Sequence, residues 1–298
     1  MIAGRVEEVG AGGLRVRRVL APNPSALTGP GTNSYILGQG RVAVIDPGPA
    51  IAVHLDALTG ALGPGERVAA ILVTHAHLDH SALAPALARA TGAPVYAAGR
   101  AEDGRSPQMA ALAASGLAGG GEGLDHAFAP DIRLADGAGL SGDGWQVAAV
   151  ATPGHLPTHL CFDAGGVLFS GDHVMGWATS IVSPPDGDMA ACMASLARLQ
   201  SSRAGRFLPG HGAAIDDPPS RVAELTGHRR AREGAILSAL TPGGLSAAEV
   251  AAAVYTDIPP ALLPAAERNV LAHLIDLAAR GLAAAQDPPG IGARYRRT

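Results

Sequence analysis

Apolar positions recur with two periods along the chain, and the changes from one to the other mark out its elements. Residues 68–73 (Val-Ala-Ala-Ile-Leu-Val) are unbroken apolar sequence, the pattern of a strand buried on both faces. From 81 to 90 the spacing becomes that of an Ala-rich helix, with Ser81 as the expected cap. The unit repeats. Residues 148–152 run into Pro153-Gly154-His155, 167–170 into Gly171-Asp172-His173, and 206–208 into Pro209-Gly210-His211, three further strands each stopped by glycine beside a polar residue. Earlier, 14–20, 33–37 and 41–45 also read as strands. A Pro/Gly-rich loop at 21–31 joins the first two, and Asp46-Pro47-Gly48 ends the third. Strands interleaved with helices predict an α/β domain.

Past His211 the pattern turns helical. Asp216-Asp217-Pro218-Pro219-Ser220 reads as linker and cap, followed by a long helix at 221–240 bearing His228, Arg229, Arg230 and Arg232. That charge run is either a solvated face or a lining of the cleft. A break at 241–244, a capped helix opening at 245–249 and a second helix at 262–280, ended by Gly281, complete a small helical unit with an extended tail. The expected domains are therefore 1–217 and 218–298. Between 99 and 123 lie seven glycines, which predict a mobile helix or lid with high local disorder. The turn-rich loop 177–189 ends at Asp188, the expected N-cap of a helix reaching about 200.

Composition narrows the chemistry. All 22 basic residues are Arg, which excludes a Schiff base, a lysine nucleophile and a Lys-bearing phosphate loop. A net charge of −4 offers no global attraction for nucleic acid. The last 58 residues, 241–298, balance five Arg against five acids, a poor composition for binding DNA. Residues 1–10 carry Glu7 and Glu8 and no apolar core, so no signal peptide is expected, and no apolar run approaches the ~20 residues of a membrane span. Cys161 and Cys192 show neither disulfide nor metal spacing. They read as small core residues of a cytoplasmic protein.

The candidate chemistry sits after the 68–73 strand, in Thr74-His75-Ala76-His77-Leu78-Asp79-His80. Four ligand-type side chains in six positions cannot all face one way on a regular helix or strand, so a tight loop is expected. At the carboxyl end of a strand they would share an edge with His155, Asp172 and His211. Five of the chain's eleven histidines falling at strand ends beside glycines or one another point to metal binding. Imidazole nitrogens suit zinc at about 2.0–2.1 Å, and two ions roughly 3.5–4 Å apart can activate water between them. Manganese or iron would accept similar ligands.

These residues resemble the metallo-β-lactamase superfamily, whose five-part motif runs here from His75 to His211. The resemblance implies a four-layer αβ/βα sandwich with two zinc ions at one edge. It implies His75, His77 and His155 on the first ion, Asp79, His80 and His211 on the second, and Asp172 bridging both. Asp79 would orient a nucleophile drawn from metal-bound water, and Asp46 would accept a hydrogen bond from a ligand histidine. Together with Asn23-Pro24-Ser25, Gly31-Thr32-Asn33-Ser34-Tyr35 and the C-terminal helices, the motifs resemble the β-lactamase-like protein 2 branch, which adds a winged-helix-like domain. A departure is Ser81-Ala82-Leu83, where that family usually carries glycines.

The branch implies a dinuclear zinc hydrolase, with an endoribonuclease-like phosphodiesterase acting on single-stranded RNA as the leading expectation. A thioesterase of glyoxalase II type, or another ester, lactone or lactam hydrolase, shares the same ligands. A non-catalytic nucleic-acid-binding winged-helix protein is the reading from another class. Asn33, His173 and His228 are the candidate substrate contacts, although His173 reads equally as a strand-end residue bonded to backbone.

Overall fold

The computed structural model describes residues 6–10, 13–119 and 123–298. Gly120 and Gly121, part of the glycine-rich insertion, lie outside the described residues, as do 1–5 at the segment expected to lack a leader.

Two sheets face each other. Strands β1 (Val6–Glu8), β2 (Val16–Leu20), β3 (Asn33–Leu37), β4 (Arg41–Ile45), β5 (Arg67–Leu72), β6 (Val95–Ala97) and β7 (Ile132–Arg133) pair in that order among the described residues, antiparallel up to β4 and parallel beyond it. Strands β8 (Gly139–Gly142), β9 (Trp145–Ala151), β10 (Leu160–Asp163), β11 (Val167–Gly171) and β12 (Arg206–Pro209) form the second, with only β11 and β12 parallel.

The period of two sorts each strand between cores. On β4, Ala43 and Ile45 enter the core between the sheets with Phe162, Phe169 and Leu208, whereas Val42 and Val44 face α1 (Ala52–Gly60) and α3 (Ala84–Thr91) through Leu58, Ala84 and Leu87. On the second sheet Leu168 and Phe207 turn outward to Met189, Leu196 and Val222 of α5 (Met189–Leu199) and α6 (Pro218–Ala239). Helix, sheet, sheet, helix is the expected αβ/βα sandwich. Fully buried side chains such as Phe162 and Phe207 each contribute roughly 1.5–3 kcal/mol of burial.

Two expectations need correction. Ser81 caps no helix. It ends the short α2 (Leu78–Ser81), and its hydroxyl donates to His77 O and to Asp125 Oδ2 at 2.9 and 2.8 Å, while α3 starts only at Ala84. The 99–123 insertion contains the expected helix, but one packed into a core. It folds α4 (Pro107–Ala114), whose Met109 and Leu112 are buried in one cluster with Ile236, Val250, Leu271 and Tyr295 of the C-terminal region. The apolar pair at i, i+3 outweighs the glycines on either side.

That region holds α7 (Ala247–Val254), opened by a Ser246/Glu249 capping box, and α8 (Leu263–Ala279). The extended tail is a small sheet in the order β13 (Leu245–Ser246), β15 (Arg294–Arg297), β14 (Ala283–Ala285). No described helix is long and apolar enough to cross a membrane.

Candidate metal centre

Every sequence-selected ligand emerges at one edge of the sandwich. His75, His77, Asp79 and His80 follow β5, with His77 extended at the N-cap of α2 and Asp79 and His80 within that helix. His155 follows β9, Asp172 follows β11 and His211 follows β12. Close approach demands glycine at two points. A Cβ on Gly210 would stand 2.5 Å from Asp172 Oδ1, and Gly171, at φ 49°, would place one 2.6 Å from His159 Nε2.

Three overlapping groups gather here, His75 with His77 and His155, His75 with His80 and Asp172, and Asp79 with His80 and His211, each with ligand atoms within 4.8 Å of one another. Hydrogen bonding behind the rings fixes where their lone pairs point. Thr74 Oγ1 gives its proton to Asp46 Oδ2 at 2.7 Å, so it accepts from His75 Nδ1 at 2.9 Å. His155 Nδ1 donates to Ile181 O at 2.7 Å, His80 Nδ1 to Asp46 Oδ2 at 2.9 Å, and His211 Nδ1 to Gly31 O at 3.3 Å. Four Nε2 lone pairs are left facing inward. His77 instead presents Nδ1, 3.0 Å from both His75 Nε2 and His155 Nε2. Asp172 Oδ1 is buried with no hydrogen-bond partner among the described residues. Convergent lone pairs and an orphaned carboxylate oxygen repel one another unless a cation lies between them, so the donor set fits divalent ions.

The electrostatics divide the cluster. Burial and the neighbouring imidazoles push His75 well down and His77 to about 3, so both of these rings are neutral. Burial opposes charge on His80 and His211, but the carboxylates win. Asp79, Asp172 and Asp46 raise His80 well above its usual value, and Asp172 lifts His211 to about 9. Asp79 and Asp172 are held below the ordinary carboxylate range despite their burial, by His80 and His211. Asp79 Oδ2 lies 3.2 Å from His211 Nε2 and accepts from Thr32 Oγ1 at 3.1 Å. The carboxylates thus draw positive charge to this half of the centre, which a bound cation would supply with both rings neutral.

Asp46 accepts from Thr74 N, Thr74 Oγ1 and His80 Nδ1. It does so at φ 49°, a left-handed backbone that costs on the order of 1 kcal/mol and is tolerated because three donors hold the carboxylate.

Asn33, His173 and His228 do not line the cleft. Asn33 is fully buried, its amide donating to Pro209 O and Gly212 O and so tying β3 to the His211 loop. His173 is buried beside His159, pushed by burial to about 3. His228 lies on α6, away from the cleft lining. Sequence reasoning missed His159, whose Nε2 accepts from Asp172 N at 3.3 Å. The signal available was the i, i+4 spacing from His155, but no strand-end glycine marks it.

Above the centre opens a cleft of about 560 Å³. Its floor is His77, Asp79, His155, Asp172 and His211, and its walls include Leu27, Met175, Trp177, Tyr255, Ile258 and Leu262. Tyr255 to Asn269 belong to the C-terminal region, so α8 turns a face to the centre.

The metallo-beta-lactamase superfamily pattern matches residues 27–211, and that of the beta-lactamase associated winged helix domain matches 246–290. The chain belongs to the metallo-β-lactamase superfamily. This metallo-β-lactamase-fold protein is 32% identical over 281 residues to the beta-lactamase-like protein 2 homolog of Drosophila melanogaster, covering 89% of this chain and 88% of that protein. It is 28% identical over 257 residues to the atrochrysone carboxyl ACP thioesterase of Aspergillus chevalieri, covering 82% and 74%. Among solved structures, a beta-lactamase domain protein from Burkholderia ambifaria superposes with a TM-score of 0.80 at 25% identity, covering 99% of this chain and 94% of that one. The protein is accordingly a metal-dependent hydrolase of the superfamily.

Proposed function

We propose that this enzyme hydrolyses an ester or thioester with an apolar acyl part over a dinuclear zinc centre in the cytoplasm. The observation that carries the reading is the contrast inside one cleft, a floor of metal-ligand side chains beneath walls of Leu27, Trp177, Ile258 and Leu262. His75, His77 and His155 would hold one ion, Asp79, His80 and His211 the other, with Asp172 between them. Ions there would supply Lewis acidity and a nucleophile from water at neutral pH. Asp79, held by the Thr32 hydroxyl, would take the proton of the attacking water and orient it. The apolar walls exclude bulk water and position the acyl chain, and binding energy from that remote part lowers the barrier at the carbonyl.

The relative named as a carboxyl ACP thioesterase supports this chemistry. A single-stranded RNA substrate fits less well. Flanking phosphates need cations beyond the ions at the scissile bond, and no arginine is among the described residues lining the cleft. The α8 face that would read nucleic acid in a winged helix is spent on the cleft and the core. A reducing compartment suits the two buried free cysteines, of which burial pushes Cys161 up to about 12.

The test is zinc reconstitution followed by assays on acyl thioesters of increasing chain length, a glutathione thioester and a labelled single-stranded RNA. Two zinc ions per chain, with kcat/KM rising with acyl length and lost in Asp79→Ala, are expected. Cleavage of the RNA with no turnover of any acyl ester or thioester would overturn the proposal.

A further inference from the structure

Arg229 is an expensive residue to bury. It is 4% exposed on α6, and no carboxylate lies within ion-pair distance of it among the described residues. A guanidinium removed from water without a counter-charge costs several kcal/mol unless its donors are well used. His228 and His273, both near it, are kept neutral partly by its charge, which adds to the cost. Fold stability alone gives no reason for it, because an apolar side chain would fill the same space more cheaply.

Its hydrogen bonds lead to the metal centre. Arg229 Nη2 donates to Ser180 O, and Nη1 donates to Asn269 Oδ1 at 2.9 Å. Asn269, on α8, accepts with the same oxygen from Val182 N at 3.1 Å, and its amide nitrogen is anchored on Ala265 O. Residues 180–182 are thus gripped at both ends from two C-terminal helices. The segment in turn grips two ligands. Ile181 O takes the Nδ1 proton of His155 at 2.7 Å, and the Ser180 hydroxyl donates to Asp172 O. A carbonyl fixed in this way sets both the tautomer and the ring orientation of a ligand histidine.

We propose that Arg229 and Asn269 are positioning residues, which set the His155 imidazole and the Asp172 carboxylate for metal binding through Ser180–Val182. The inference rests on the reading of His155 and Asp172 as ligands. It assigns the C-terminal helices a part in building the metal site, in addition to walling the cleft. A preformed site needs less reorganisation when the ion arrives, so loosening the segment should weaken metal binding before it affects anything else.

The experiment titrates apoprotein with Co2+, following the visible absorption of the ion, and repeats the titration with Zn2+ against a chelator. Arg229→Met and Asn269→Leu should each weaken binding about 10–100-fold and change the shape of the cobalt spectrum. Arg229→Lys keeps one donor and should recover part of the loss, and Arg230→Met, at an exposed neighbour, should leave both readouts unchanged. If Arg229→Met does not fold, Ser180→Ala, which removes the hydroxyl that Asp172 O shares with His173 O, should still shift the spectrum. Folded Arg229→Met, Asn269→Leu or Ser180→Ala protein with wild-type affinity and spectrum would overturn the proposal. A His155→Ala protein that binds cobalt like wild type would instead remove the ligand reading beneath it.

Discussion

At the floor of the cleft, His77 and Asp79 come from one short stretch of chain with the buried candidate ligands His75 and His80, whereas the wall draws Leu27, Trp177, Ile258 and Leu262 from three distant segments. The floor is fixed by direction. The His75, His80, His155 and His211 imidazoles each have one nitrogen tied to a particular acceptor, and moving any of these rings by an ångström breaks a hydrogen bond and misaims a lone pair. The wall is fixed only by volume, since apolar surface of about the right size serves. Floor residues should therefore tolerate almost no substitution, and wall residues should tolerate many at a graded cost.

The largest effect expected is at the floor. Asp172 is shared, lying 3.3 Å from His211 Nε2 and 3.4 Å from His80 Nε2, and one of its oxygens has no other partner. Asp172→Ala should lower kcat about a thousandfold, or roughly 4 kcal/mol, with zinc content falling below two per chain by elemental analysis. A folded Asp172→Ala enzyme with full turnover would end the comparison at its strongest point.

Acid should separate the two regions next. Behind the floor, His54 shares a hydrogen bond with Ser34 Oγ at 2.8 Å, and burial pushes it down to about 4. In the wall domain, burial and then Arg229 push His273 to about 3. Both are neutral when folded and titrate near 6.5 when unfolded, so the unfolded chain binds the extra protons. Their stabilising effect is complete above about pH 6.5. It is lost as pH falls toward 4 for His54 and toward 3 for His273, on the order of 3 kcal/mol for His54. Urea midpoints of zinc-loaded protein between pH 7 and 4.5 should drop less steeply in His54→Gln than in wild type. Parallel slopes would show that His54 is already protonated in the folded protein.

The same division governs what is legible in the sequence. His75 to His80 announce themselves because four ligand-type side chains crowded into one turn repel one another unless a cation holds them, and strand ends followed by glycine place His155, Asp172 and His211 on the same edge. Alternation along β4 reveals the layers, since a period of two needs no knowledge of distant partners. Ser81 misleads because a serine before an Ala-rich run has the look of an N-cap, while Asp125, 44 positions away, takes its hydroxyl. The α4 packing is hidden because Met109 and Leu112 find their partners in the C-terminal region, beyond any local window. Arg229 looks like one charge in a solvated run, and only the fold shows which of the three arginines turns inward.

The wall should respond in smaller steps. Leu262 lies in the cleft lining just ahead of α8 and is not itself a candidate ligand. Leu262→Ala should raise KM for long acyl thioesters about tenfold, close to 1.4 kcal/mol, while leaving short acyl substrates and zinc affinity unchanged. Equal losses for short and long chains would mean that the wall acts through the floor, and would undo the distinction between direction and volume.

The smallest effect tests whether the wall domain's stability matters to the centre at all. Ser246 Oγ accepts from Glu249 N at 3.2 Å and Glu249 returns a carboxylate to Ser246 N at 2.7 Å, a box at the start of α7 remote from the cleft. Ser246→Ala should cost about 1 kcal/mol and lower Tm by a few degrees. Its kcat, KM and cobalt spectrum should match wild type. Communication between the two regions runs through the hydrogen bonds of Arg229 and Asn269 to residues 180–182, which a frayed α7 leaves in place. A drop in metal affinity alongside the drop in Tm would mean that the whole domain, rather than those few bonds, holds the site in shape.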